Sequence, residues 1–318
     1  MSRPFSERVG HDDWRREAEA WVRAELERVG VDVTGPIVQP RIRPWSTQLT
    51  APTTSGQVWF KANCPYLAFE PRLQDVLAGI APDAVDAPIA VDPDRGWMLT
   101  ADRGTTLGDT HEPTADDWGQ VLRGAAALQR VVVANEDAVL GTGLPDCRPS
   151  TVPGRFSRLV EIFAGLPDDH PAHVPPELET RLRAARGAVE DAAQQLDESS
   201  LPSTWQHGDL HPWNVFAADG RLFDFGDGQW AHAAEVLCVP YGWIMQRGEV
   251  PWPALLEEYA DAWGVSPADL ESQWQATSLT QPVNRTVLWW GVLQEATAAE
   301  WAQWGDSILH HLTGVLEP

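Results

Sequence analysis

The chain has 318 residues, 43% of them apolar and 22% charged, with a formal net charge of −23. That length and apolar content suit one large domain or two lobes with a sizeable core, and they exclude global disorder. With no basic stripe to meet phosphates, a nucleic-acid partner is excluded and an anionic membrane surface disfavoured; the acidity reads mainly as a solvated surface.

Three cysteines, Cys64, Cys147 and Cys238, are too few and too widely spaced for a disulfide or zinc framework. The first residues, Met1 to Trp14, are polar and charged and lack a secretory apolar stretch. No apolar run reaches the roughly 18 residues of a membrane span. A reducing cytoplasm is the expected location.

In chain order, residues 12–29 have the spacing of an amphipathic helix, with Trp14, Ala18, Trp21, Val22, Leu26 and Val29 on one face and Gly30 as its stop. Strand-like runs follow at 37–43, 48–51 and 57–62, the last two joined through a turn at 52–56. A helix is predicted over 69–80. A second hairpin, 89–91 with 97–100, turns at Pro93–Gly96, and residues 101–104 read as a crossover. Beyond Thr114 the period is helical over 115–133, 156–164 and 176–196. It breaks between Trp205 and Trp230, where Val215-Phe216 and Leu222-Phe223 flank a small turn at 217–220. Further helices are expected near 233–246, 252–263, 267–276, 282–298 and 301–316. The plan is α+β, a strand-rich N-terminal part followed by a helical one.

One compositional feature stands out. Lys61 is the only lysine among 23 basic residues. Such an exception is either a chance survivor or a site that needs a compact ammonium and not a planar guanidinium.

Phosphoryl transfer needs a carboxylate to orient the attacking hydroxyl, oxygen ligands for magnesium and a cation on the phosphates. His207-Gly-Asp-Leu-His-Pro-Trp-Asn214 matches the spacing H-x-D-L-x-x-x-N, and Asp224-Phe-Gly follows ten residues after Asn214. Each residue alone has a simpler reading: His207 a core histidine, Asp209 a helix cap, Asp224-Phe-Gly a turn. At these offsets together they specify a catalytic centre. Asp209 is then the catalytic carboxylate, and Asn214 and Asp224 are oxygen ligands suited to Mg²⁺.

The loop resembles that of the aminoglycoside phosphotransferase family, where glycine stands in place of the protein-kinase arginine; fructosamine, choline and homoserine kinases share the pattern. The resemblance covers about residues 35–310. It implies a protein-kinase-like two-lobe fold, an antiparallel-sheet N-lobe over 35–103 and a helical C-lobe over 104–318, preceded by a helical segment over 1–34. ATP and Mg²⁺ are the implied cofactors. Val58-Trp-Phe-Lys-Ala62 looks like the strand that carries the phosphate-binding lysine, with Glu70 as the expected partner of Lys61 and Asp75 as competitor. Trp97 to Gly104 looks like the adenine hinge and places Thr100, Ala101 and Arg103 beside the nucleotide. No glycine-rich loop is present; Ser46 and Thr47, after Pro44-Trp45, are expected to cover the phosphates. No Ala-Pro-Glu follows Asp224-Phe-Gly, so protein substrates are not expected and the enzyme should be constitutively active.

The acceptor is expected on the helical lobe. Residues 201–318 hold 11 of the 17 tryptophans and 15 acids against three arginines. Carboxylates and tryptophan faces suit an amino sugar or aminoglycoside, although tryptophans at helical spacing are more often core. Trp213, Asp227, Trp230 and Glu295 are the candidate acceptor contacts, with Glu257 and Glu258 as further ammonium ligands; Asp227 also reads, with Glu235, as a structural brace of the catalytic loop. A metabolic small-molecule kinase and a nucleotide-binding regulatory pseudokinase stay open. The intact Lys61, Asp209, Asn214 and Asp224 weigh against the latter.

Overall fold

The computed structural model describes residues 3–248 and 250–317. It divides into two compact units, one made of 1–104 with 290–304 and one of 105–289 with 305–318.

The first unit is built on five antiparallel strands: β1 (Val38–Ile42), β2 (Ser46–Thr53), β3 (Gly56–Asn63), β4 (Ala90–Asp92) and β5 (Trp97–Ala101), in the order β1-β2-β3-β5-β4. Strand alternation decides what each face does. Val58, Phe60 and Ala62 of β3 join Leu49, Trp97 and Leu99 in a core covered by Ala18, Val22 and Leu26 of α2 (Asp12–Arg28), behind the short α1 (Phe5–Val9). The N-terminal helix is therefore part of this unit and no separate appendage. Lys61 and Asn63 take the opposite face, where α3 (Glu70–Ile80) supplies the carboxylate that meets them.

The second unit is helical around a two-stranded ribbon. It contains α4 (Leu107–Thr110), α5 (Ala115–Val133), α6 (Glu136–Leu140), α7 (Val152–Ala164), α8 (Pro176–Asp197), β6 (Ser203–Gln206), β7 (Gln229–His232), α9 (Cys238–Arg247), α10 (Trp252–Trp263), α11 (Pro267–Leu293) and α13 (Asp306–Thr313); α12 (Ala298–Trp304) lies in the first unit. Helix α5 starts cleanly because Thr114 and Asp117 form a capping box. Two predicted helices at 267–276 and 282–298 are one helix, α11, which runs through Pro282. A proline inside a helix removes one donor and bends the helix without necessarily ending it. No helix among the described residues is long and apolar enough to cross a membrane, and the three cysteines are free.

Ribbon β6–β7 positions the chemistry. Gln206 pairs with Gln229, so the residues leaving β6, from His207, lie opposite those entering β7, up to Gly228. A local pairing of four residues thus joins the two halves of the motif.

Candidate active site

The loop is held by its own histidines. His207 is fully buried; its Nε2–H donates to the Phe223 carbonyl at 2.9 Å and its Nδ1 accepts from the Asp209 N–H at 3.4 Å. Burial pushes it below the ordinary histidine range, which suits this neutral tautomer. Its ring and that of Trp205 pack on Phe225, with centroids 5.8 and 5.5 Å away. The Phe223 N–H donates to the Asn214 carbonyl at 3.2 Å and draws the segment before Asp224 back to the loop. Asp224 is the one non-glycine residue with a left-handed backbone (φ 62°) among the described residues. Such conformations persist where the surroundings enforce them, commonly at functional sites.

Asp209 is half-buried, with one carboxylate oxygen 3.3 Å from Nε2 of His211. The Trp213 N–H donates to His211 Nδ1 at 3.2 Å, which keeps a ring proton on the nitrogen that faces Asp209. Burial opposes the Asp209 charge, but His211 hydrogen bonding and the positive charges of Arg285 and His211 outweigh it and hold the carboxyl below its usual range. The base is therefore ionised and oriented. Asn214 donates through Nδ2 to the Asp209 carbonyl at 2.9 Å, so its oxygen is turned away from that contact. An amide oxygen and the Asp224 carboxylate make a hard-oxygen donor set of the kind magnesium takes alongside substrate phosphates. Among the described residues no group of three or more His, Cys, Asp or Glu side chains could hold a metal alone.

Asp227 carries a contact that sequence reasoning missed. Its Oδ2 accepts from Nη1 of Arg285 at 2.7 Å, and the same nitrogen donates to the Gly208 carbonyl at 2.9 Å. Burial pushes the Asp227 carboxyl up, with Arg285 pulling against it. Asp227 is thus engaged by the protein and braces the loop.

Trp213 is 38% exposed. Its Nε1–H donates to Asp109 at 3.1 Å, and its ring lies 5.3 Å from that of Trp243. Arg247 sits 4.5 Å over Trp243 and pairs with Glu112. A Cβ on Gly108 would come within 2.6 Å of the Trp213 ring, so glycine there lets α4 support this aromatic wall. Trp230 is a correction. It is 1% exposed, on β7 opposite Trp205, because the ribbon turns it into the core. Glu295 is another: it belongs to the first unit, beside Arg8 at 4.0 Å, since the end of α11 leaves the helical unit. Glu258 is paired with Arg123.

In the first unit Lys61 Nζ is 2.8 and 2.7 Å from the two Glu70 oxygens, with Asn63 Nδ2 2.9 Å from Oε2. Glu70, and not Asp75, is the partner. Ser46 is buried, and its hydroxyl has no hydrogen-bond partner among the described residues. The Thr47 hydroxyl donates to the Arg41 carbonyl at 2.8 Å and accepts from Gln39; it closes the β1–β2 hairpin. Thr100 and Ala101 end β5, the Thr100 hydroxyl 3.4 Å from the Trp59 carbonyl, and Arg103 pairs with Asp86 at 3.0 Å.

Glu235, just past the ribbon, is buried and accepts from Thr280 Oγ1 at 2.7 Å and from Asn284 Nδ2 at 3.1 and 3.0 Å. Burial raises its pKa from an ordinary 4.5 to about 7. A carboxyl raised in the folded state stabilises below its unfolded pKa, and that contribution is lost as pH rises through the folded one. Stability should therefore fall by about 3 kcal/mol between pH 4.5 and 7 on account of this group. Urea midpoints of the wild type and Glu235→Gln at pH 5 and pH 8 test this. Between those pH values the wild type should lose about 3 kcal/mol more than the variant. His232 and His311, whose pKa values burial pushes down and which act in the opposite sense, are common to both. The same pH dependence in the two proteins would show that Glu235 contributes none of it.

The phosphotransferase enzyme family model matches residues 65–276. No curated protein sequence matches the chain. Among solved structures, a macrolide 2'-phosphotransferase from Brachybacterium faecium is similar at 18% identity and a TM-score of 0.59, over 94% of this chain and 98% of that one. An ethanolamine kinase from Plasmodium vivax is similar at 12% identity and 0.59, over 88% and 82%. A spectinomycin phosphotransferase in complex with ADP and spectinomycin is similar at 13% and 0.52, over 94% and 93%. Identities this low carry the fold alone. The family match takes in the whole segment from His207 to Asn214, Asp224 and the Glu70 helix, and with it the chain belongs to the phosphotransferase enzyme family, as a small-molecule phosphotransferase of protein-kinase-like α+β fold.

Proposed function

We propose that this enzyme transfers the γ-phosphoryl group of ATP to a hydroxyl of an amino sugar or aminoglycoside-like molecule. The observation that carries the reading is the Asp209 carboxylate, ionised, oriented by His211 and tied through its own carbonyl to Asn214. In this reading Asp209 orients the acceptor hydroxyl and accepts its proton, and Lys61, held by Glu70, contacts the α- and β-phosphates. Asn214 Oδ1 and Asp224 hold Mg²⁺, which when bound neutralises charge on the phosphates. Ser46 and the β5 end, Thr100 to Arg103, are assigned to the nucleotide.

The exposed Trp213 face, backed by Trp243, is assigned to the acceptor. Aromatic faces take up sugar rings and cations. An ethanolamine-, choline- or fructosamine-type acceptor is the second reading, since the same wall suits a single ammonium group. Coupled measurement of Mg²⁺-dependent ADP release over aminoglycosides, amino sugars, ethanolamine, choline, homoserine and neutral sugars separates them. Turnover confined to neutral sugars would overturn the amino-sugar reading. Nucleotide binding without ADP release on any acceptor would favour a regulatory pseudokinase. With a productive acceptor, Trp213→Ala should raise the acceptor KM about tenfold, from a lost stacking contact of about 1.4 kcal/mol, and leave the ATP KM unchanged. An unaltered acceptor KM would remove Trp213 from the site.

A further inference from the structure

We infer that Arg285 is a positioning residue for the transfer, supplying from α11 a guanidinium that the catalytic loop cannot carry itself. The inference rests on the phosphotransferase reading of Asp209. Protein-kinase loops place arginine directly before the catalytic aspartate. Here that residue is Gly208, and the backbone explains why. Its φ is +77°, and a Cβ would collide with the Asp227 carbonyl, so no side chain fits. The Arg285 guanidinium, 7% exposed, bonds the Gly208 carbonyl instead.

The consequence is geometric. The Gly208–Asp209 peptide is planar. Its oxygen is held by Arg285 Nη1 at 2.9 Å, and its N–H, on Asp209, by His207 Nδ1 at 3.4 Å. Fixing both ends of that plane fixes the backbone on one side of the Asp209 Cα, and the Asn214 Nδ2 bond to the Asp209 carbonyl at 2.9 Å holds it on the other. Together they set the direction in which the Asp209 side chain leaves the backbone. The same Nη1 bonds Asp227 Oδ2 at 2.7 Å, which ties the peptide to the segment after Asp224-Phe-Gly. In kinases regulated through an activation loop, a phosphate orders that segment by pairing with arginine. Here a permanent carboxylate, Asp227, pairs with arginine, so the loop needs no modification to be ordered. Arg285 touches no reacting group and acts through the loop.

The test compares kcat and KM of Arg285→Met, Arg285→Lys and wild type with ATP and an acceptor found productive for the wild type. Arg285→Met should lower kcat about 100-fold, as expected for a base displaced by about an ångström, with the ATP KM within about twofold of wild type. Lysine keeps the charge but is one atom shorter, so Arg285→Lys should recover part of the rate. Hydrogen exchange should be faster across 207–214 in Arg285→Met and unchanged across α5. If Arg285→Met does not fold, Arg285→Lys with a kcat lowered about tenfold and an unchanged ATP KM supports the assignment. Wild-type kcat in either variant, or a rate loss accompanied by equal loss of exchange protection throughout the unit, overturns it and leaves the transfer reading standing. A wild-type enzyme that releases no ADP with any acceptor sinks the transfer reading, and the inference with it.

Discussion

Asp209→Ala is expected to lower kcat by about 10²–10⁴-fold, the range for removal of a positioned general base, while ADP binding stays near wild type. The asymmetry follows from the division of labour. The groups assigned to phosphates and metal are Lys61, Asn214 and Asp224, and none of them depends on the Asp209 carboxylate: Asn214 is bonded to the Asp209 backbone carbonyl, which alanine retains. Asp209→Asn sharpens the test. Its amide oxygen can still accept from His211 Nε2, which faces the carboxylate at 3.3 Å, so geometry survives and only the charge and proton affinity are lost. Both variants should therefore be similarly slow. Full activity of both on a productive acceptor would remove Asp209 from the chemistry. A fast Asn and a slow Ala variant would mean that the residue orients without accepting a proton.

What could be read in the chain followed the range of the interactions. The loop and Asp224-Phe-Gly were legible because their geometry is set within about twenty residues, by the β6–β7 pairing and the Phe223–Asn214 bond. The Lys61–Glu70 pair was legible because it spans only nine residues of strand, turn and helix. Arg285 was not, since 77 residues separate it from Gly208 and nothing local marks one arginine on a long helix. Pro282 also disguised that helix as two. His211 sat in a variable position of the motif, so its contact with Asp209 had no signature. Trp230 failed for the opposite reason. Proximity in sequence suggested the acceptor site, but strand alternation in β7 buries it. Thr47 looked like a phosphate ligand until the hairpin claimed its hydroxyl.

Glu70→Ala is expected to destabilise the protein by about 3–5 kcal/mol, the cost of leaving one member of a buried ion pair behind. Glu70 is fully buried and Lys61 is 8% exposed, and the change strips the carboxylate from two buried donors, Lys61 Nζ and Asn63 Nδ2. The urea midpoint should fall accordingly. Replacing both charges, Lys61→Met with Glu70→Leu, should recover most of that loss, because apolar side chains of similar volume avoid the desolvation of two ions. Asn63 still loses an acceptor, so recovery is incomplete. The double variant should nevertheless use ATP about 10²-fold less well in kcat/KM, the scale for losing one preorganised electrostatic contact to a reacting phosphate. Stability and activity then part company. A pair retained for stability would show the two falling together, and a double variant with wild-type ATP kinetics would return Lys61 to a chance survivor among arginines.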